Sequence, residues 1–355
     1  MKAARWYATK DVRVEETEIP KVGSNQIKVE VKFAGICGSD LHEYVHGPNL
    51  IPKDEPYPLT GHIGVTTLGH EFSGVISEIG ENASTKLKVG DRVVVEPIYK
   101  NPESSFIPNG KYNLSSPLGF VGLSSNGGFA PYVVVEDYMV HKIPDSMSFE
   151  QGALVEPAAV AVYAVKSSGL EIGESVAIFG AGPIGLLCLQ AAKVAGATTT
   201  FVIDVSETRL EKAKEVGADY VINGMDNDIP EQIKKIVGND GVDRVIDAAG
   251  VQATFQNGID ALKNGGTSLL VALFGKPVTL DAFDQVCREI TIRGVIAYRN
   301  IFPQVIELIN SKQMDVEKLI TSKISLDNIV EEGFEKLIKD PSEVKILIDI
   351  ASTNS

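Results

Sequence analysis

The stretch AIFGAGPIGLL, residues 177–187, sets Gly180, Gly182 and Gly185 directly behind an apolar, β-branched run and directly ahead of a helical one. The first glycine permits the tight turn from strand to helix. The second lets the backbone approach a bound pyrophosphate, and the third lets helix and strand pack closely. Pro183 falls in the first helical turn, where its missing N–H has no partner to lose. The free N–H groups and the helix dipole then face the phosphates. The next apolar run, TTTFVI, ends at Asp204, 19 residues beyond Gly185, where a carboxylate binds both ribose hydroxyls. Strand, glycines, helix, strand and acid in this order specify a dinucleotide site. Asp204 repels a 2′-phosphate, so NAD is the expected cofactor rather than NADP. Arg209, an arginine that would suit a 2′-phosphate, is read instead as packing on the adenine or lying exposed.

The flanking sequence extends this unit. SVAIF (175–179), YVIN (220–223), DRVID (243–247) and TSLLVALF (267–274) are strand candidates, separated by helical stretches such as SETRLEKAKEV (206–216) and TFQNGIDALK (254–263). Strands alternating with helices at this spacing make a buried parallel sheet, a doubly wound α/β Rossmann unit. Before residue 155 the texture differs. IKVEVKF (27–33) alternates strictly, placing Ile27, Val29, Val31 and Phe33 on one face, and short runs at 72–79, 91–97 and 131–140 follow the same habit. Short strands broken by Gly and Pro predict a compact β-barrel unit. The 355 residues are long for one core and fit two domains.

Composition narrows the function classes. The net charge of −14 is spread along the chain without a basic stripe, which argues against a nucleic-acid partner. The longest apolar run, 176–189, is interrupted by glycines and too short to span a bilayer, and the N-terminus has no secretory pattern. Three cysteines with no close pair fit neither a disulfide framework nor a closed cysteine-rich zinc site, so no membrane association and a reducing, cytoplasmic setting are expected.

The chemistry centres on GICGSDLHEY (35–44), TLGHEFSGV (67–75) and ALVEPAAV (153–160). Taken singly, Cys37 reads as a small buried hydrophobe, and His70 and Glu71 as a surface pair. Glu156 is harder to dismiss, because a carboxylate among apolar residues needs a partner. One assignment accounts for all of them: Cys37, His70 and Glu156 hold one zinc and leave a fourth position open, the pattern of a catalytic site. Glu71 is then an outer or exchanging ligand, and Asp40 orients the ligand histidine. Zinc polarises an alcohol oxygen, and NAD takes the hydride. Ser39 and His42 suit the relay of the alcohol proton to water, through the cofactor ribose.

Taken together and in this order, GICGSDLHEY, GHEFSGVI, LVEPAAVAVY and FGAGPIGLL resemble the zinc-dependent medium-chain alcohol dehydrogenases over essentially the whole chain. The resemblance implies a GroES-like catalytic domain from residues 1–155 and 297–355 around a Rossmann domain at 156–296, with the active site in the cleft. It also implies that Ile184, Asp204 and Arg209 line the cofactor site, which Leu273, Ala297 and Tyr298 complete. Tyr298 also serves the substrate, along with Ser39. The glutamate of LVEPAAV is similar to that of the polyol and butanediol dehydrogenase branches. Residues 96–120 contain no cysteine, so the second, structural zinc of many relatives is expected to be absent. Sorbitol dehydrogenases have an arginine where Ala297 stands and a tyrosine where Glu43 stands. With the long segment 42–70, this favours a short substrate, 2,3-butanediol interconverted with acetoin, with diacetyl reduction as a further activity, over sorbitol or threonine. A catalytically silent NAD-binding protein is the rival from another class. A homodimer or homotetramer is expected.

Overall fold

The computed structural model describes residues 1–238 and 240–354. The chain divides into two compact units, one formed by Met1–Glu156, Phe302–Ser311 and the segment from Ile320 onward, the other by Pro157–Ile301 and Lys312–Leu319. The return to the first unit therefore falls at Phe302, not at 297, and a short stretch near 315 goes with the second. Its anchor is Gln190, whose side chain donates to the Asp315 carbonyl at 3.0 Å and accepts from the Asp315 N–H at 2.6 Å.

The first unit is built on a seven-stranded sheet. Its central strand, Gln26–Gly35, pairs antiparallel with Glu71–Ile79, with Tyr132–Glu136 and with Lys345–Asp349 from the far end of the chain. Ile27, Val29 and Val31 are buried as their alternation requires. The register against Glu71–Ile79 then shifts between Val31 and Phe33. The shift changes the phase, so Ala34 is buried and Phe33 only half-buried, unlike the strict alternation expected. Its core gathers Trp6, Phe72, Phe129 and Phe334 around the sheet.

In the second unit six parallel strands lie in the order Tyr220–Asn223, Thr199–Asp204, Ser175–Phe179, Val242–Asp247, Leu262–Leu270 and Thr291–Gly294. Ser175–Phe179 is buried throughout, as a strand covered on both faces must be. The strand expected over 267–274 instead starts at Leu262 and stops at Leu270. Val271 and Ala272 turn out of the sheet because their N–H groups bond the Asp247 carbonyl, at 3.0 and 3.1 Å. No helix among the described residues is long and apolar enough to cross a membrane.

Candidate active site

Cys37 leaves the strand Gln26–Gly35 and opens the helix Gly38–His46. Asp40, fully buried, accepts from the Cys37 N–H at 2.9 Å and so fixes the start of that helix. The register pairs Gly35 with Glu71, and this brings the His70–Glu71 dipeptide to the same end of the sheet. Possible ligand atoms of Cys37, His70 and Glu71 lie within 4.8 Å of one another. Ser39 Oγ is 3.2 Å from His70 Nε2. Asp40 Oδ1 is 3.6 Å from His70 Nδ1, too long for a hydrogen bond.

A lysine that sequence reasoning overlooked completes the cluster. Lys345 opens the strand Lys345–Asp349 and is almost fully buried. Its ammonium donates to the Ile36 carbonyl at 2.9 Å and forms an ion pair with Glu71 Oε2. Burial works against this charge, but Glu71, Cys37 and Glu156 outweigh it and raise the lysine pKa. The same balance governs His70: burial opposes its charge, while Asp40 and Cys37 prevail and raise its pKa well above the ordinary value. The surroundings favour positive charge.

That preference, and the donors themselves, fit a divalent cation. His70 Nδ1, Asp40 Oδ1 and Glu71 Oε1 are buried without a hydrogen-bond partner. Glu71 Oε2 faces the Lys345 ammonium as an ion pair without hydrogen-bond alignment. A thiol, an imidazole and carboxylates are the donors zinc takes. Cys37, His70 and Glu71 form the close group, where the expected trio had Glu156 as its carboxylate and Glu71 as an outer or exchanging ligand. Glu156, in the first turn of the helix Val155–Ser168, is buried and bears on Lys345, outside the close group of three. The expected relay partner of Ser39, His42, is exposed on the helix Gly38–His46.

At the glycine motif, Gly182 precedes the helix Pro183–Ala195, and a Cβ on Gly185 would lie 1.8 Å from the Gly180 carbonyl oxygen. Only glycine permits that approach of helix to strand. Asp204 ends its strand, accepting from the Ala181 N–H at 2.7 Å and from the Ser206 N–H at 2.9 Å. It therefore also ties the glycine turn to the next loop, a role its position in the sequence did not reveal. Ile184 and Arg209 are half-buried, Leu273 is exposed, and Tyr298 is fully buried and follows Ala297, whose φ is 49°.

Residues 23–145 match the alcohol dehydrogenase GroES-like domain family, and residues 183–311 match the zinc-binding dehydrogenase family. (R,R)-Butanediol dehydrogenase of Bacillus subtilis is 46% identical over 349 residues, spanning 98% of this chain and 99% of its own. The chain belongs to the zinc-binding alcohol dehydrogenases. These are oxidoreductases of CH–OH groups that work with zinc and a nicotinamide dinucleotide. Sorbitol dehydrogenase of Gallus gallus is 36% identical over 350 residues, spanning 97% of this chain and 95% of its own. The X-ray structure of 2R,3R-butanediol dehydrogenase from Bacillus subtilis superimposes with a TM-score of 0.93 at 45% identity, covering 98% of this chain and 99% of that one. A GroES-like unit joined to a parallel-sheet dinucleotide unit is thus the architecture of this alcohol dehydrogenase.

One further cluster marks this alcohol dehydrogenase. In the cysteine-free segment, buried Glu96 accepts from the Tyr112 hydroxyl and lies 2.9 Å from His141 Nε2. Lys100 stands over the rings of Tyr112 and Tyr138, at 4.5 and 4.7 Å from their centres. A buried carboxylate and a cation between two rings knit the segment.

Proposed function

We propose that this alcohol dehydrogenase oxidises 2,3-butanediol to acetoin with NAD, and catalyses the reverse reduction. The observation that carries this reading is the 46% likeness, over nearly the whole of both chains, to the butanediol enzyme of Bacillus subtilis. The small side chain of Ala297 agrees with a short substrate. Cys37, His70 and Glu71 would hold a single zinc, with Glu156 as the alternative carboxylate ligand; the segment 96–120 has no cysteine to hold a second ion. Bound zinc supplies Lewis-acid polarisation of the alcohol oxygen, which lowers that oxygen's pKa.

The chain's own residues do the rest. Asp40 fixes the helix that starts at Cys37 and faces His70 from behind. Ser39 would take the alcohol proton while releasing its own hydroxyl proton, by way of the cofactor ribose, to His42, which is exposed on the same helix and gives it up to water. Bound NAD would supply the acceptor for the carbinol hydride, so that one diol and one NAD would give one acetoin, one NADH and one proton. The glycine turn and Asp204 hold the pyrophosphate and a ribose, and the Asp204 charge selects NAD. Arg209, Leu273 and Tyr298 contribute to the cofactor site. We place the active homo-oligomer, a dimer or tetramer, in the cytoplasm.

The test is NADH formation, followed at 2,3-butanediol stereoisomers, sorbitol, threonine and 2-propanol, with kcat/KM compared. A site shaped for hydroxyls discriminates by about 10⁴-fold or more, whereas an apolar pocket separates methylenes by only about 10–200-fold. A butanediol isomer is expected to give the largest value. A larger value for sorbitol or threonine overturns the substrate assignment and leaves the zinc and NAD chemistry standing.

A further inference from the structure

In the second unit the sheet grows in one direction from Ser175–Phe179 and in the other from Val242–Asp247, so these two strands flank the switch point at which a dinucleotide binds. The last residue of the second strand, Asp247, is 1% exposed. Its Oδ1 accepts from the N–H groups of Ala249 and Gly250, at 2.9 and 2.8 Å. Its Oδ2 accepts from the Thr254 hydroxyl at 2.9 Å, and its main-chain carbonyl accepts from Val271 and Ala272. One buried residue thus ties together the turn after its own strand and the turn after the neighbouring strand, Leu262–Leu270.

Those two turns meet each other and the glycine motif. The Ala248 N–H donates to the Phe179 carbonyl at 2.8 Å, and a Cβ on Gly180 would come within 3.1 Å of Ala248 C and Ala249 N. A Cβ on Gly250 would come within 3.0 Å of Ala272 Cβ. A carboxylate buried among neutral donors is costly unless its hydrogen bonds are made, which holds all of these groups in one arrangement.

We propose that Asp247 is a positioning residue for the nicotinamide half of the cofactor. The inference rests on the NAD reading above. Asp204, on the far side of the switch point, marks the adenosine half. By elimination the walls of the other half are the turns at 248–251 and 271–273, which Asp247 sets. Loss of the Asp247 carboxylate should then be felt by a ligand that carries the nicotinamide ring, not by ADP-ribose, which is the same dinucleotide without that ring.

The experiment measures affinities of the full-length chain for NADH, by fluorescence titration, and for ADP-ribose, by calorimetry. Asp247→Ala is expected to weaken NADH by about 10-fold or more, the scale of one lost polar interaction, and to leave ADP-ribose within about 2-fold. Asp247→Asn keeps an oxygen for Ala249 and Gly250 and should restore most of the NADH affinity. Thr254→Val removes only the Oδ2 partner and should give a smaller loss confined to NADH. It carries the test if Asp247→Ala does not fold. Equal losses for NADH and ADP-ribose, or no loss for NADH in any variant, would overturn the proposal. An unmodified protein that binds neither NADH nor NADPH would remove the cofactor reading itself, and this inference with it.

Discussion

The Lys345 ammonium stands against the Glu71 carboxylate with both side chains at most 2% exposed, and Glu71 is also one of the three close candidate metal ligands. Ammonium and metal therefore compete for, or share, one carboxylate. Lys345→Met keeps the length of the side chain and removes the charge. Breaking a buried pair from one side costs about 3–5 kcal/mol, so the metal-free variant should be strongly destabilised. Zinc would replace the missing positive charge, and anything that binds only the folded state stabilises it. Denaturant unfolding of metal-free and zinc-loaded protein should then give a larger zinc increment for the variant than for the unmodified chain. Equal increments would mean that ammonium and metal do not act on the same carboxylate.

Cys37 is the softest donor of the cluster, and a serine hydroxyl is a poor substitute for a thiolate in a zinc site. Elemental analysis should find one tightly held zinc per chain, and Cys37→Ser should lose it together with nearly all turnover. NADH should still bind, because Gly180, Gly182 and Gly185 belong to the other unit. Two tightly held zinc ions per chain would refute the single-ion assignment.

What was legible in the sequence follows the range of the interactions. The turn at Gly180–Gly185 and the carboxylate at Asp204 belong to one βαβ unit, so spacing alone displayed them. Cys37, Ser39 and Asp40 share one helix start and were visible for the same reason. Lys345 was not, because its partner carbonyl at Ile36 is 309 residues away and a lysine at the head of an apolar strand reads as a solvated end. Glu71 reads from the sequence as an outer or exchanging ligand, and nothing near it in the chain displays the buried ammonium that stands against its carboxylate. Phe33 was assigned to the buried face because a register shift in the pairing leaves no mark in an alternating sequence.

The preference for NAD should depend on charge more than on shape at Asp204. Its two oxygens hold the Ala181 and Ser206 N–H groups, and the same carboxylate repels a 2′-phosphate. Asp204→Asn keeps one acceptor and removes the repulsive element on which specificity rests. The ratio of kcat/KM for NADP to that for NAD should rise about 10-fold or more, equivalent to roughly 1.4 kcal/mol. An unmodified protein that already prefers NADP in steady-state kinetics would refute the role given to this residue.

The last prediction concerns the segment 96–120, where no cysteine is available and a buried carboxylate holds the chain together. Burial by itself would raise the Glu96 pKa, but the hydrogen bonds from His141 and Tyr112 and the nearby positive charge of Lys100 prevail and lower it. A carboxylate whose pKa is lower in the folded than in the unfolded chain contributes stability that is fully present above the ordinary carboxylate range. That contribution is lost as pH falls through the lowered folded value. Glu96→Gln removes the charge at every pH while keeping the shape. At pH 7 the variant should be less stable by about 1–3 kcal/mol, the cost of weakening a buried, charge-assisted hydrogen-bond pair. The difference should shrink as the unmodified protein is taken from the ordinary carboxylate range down through the lowered folded value, where its own Glu96 becomes protonated. Denaturant unfolding of both proteins from pH 7 down to about pH 3, with proteolytic nicking within 97–120 as a local readout, measures this. A difference that stays constant across the range, or grows toward acid, would mean that the segment is held by packing rather than by the Glu96 charge.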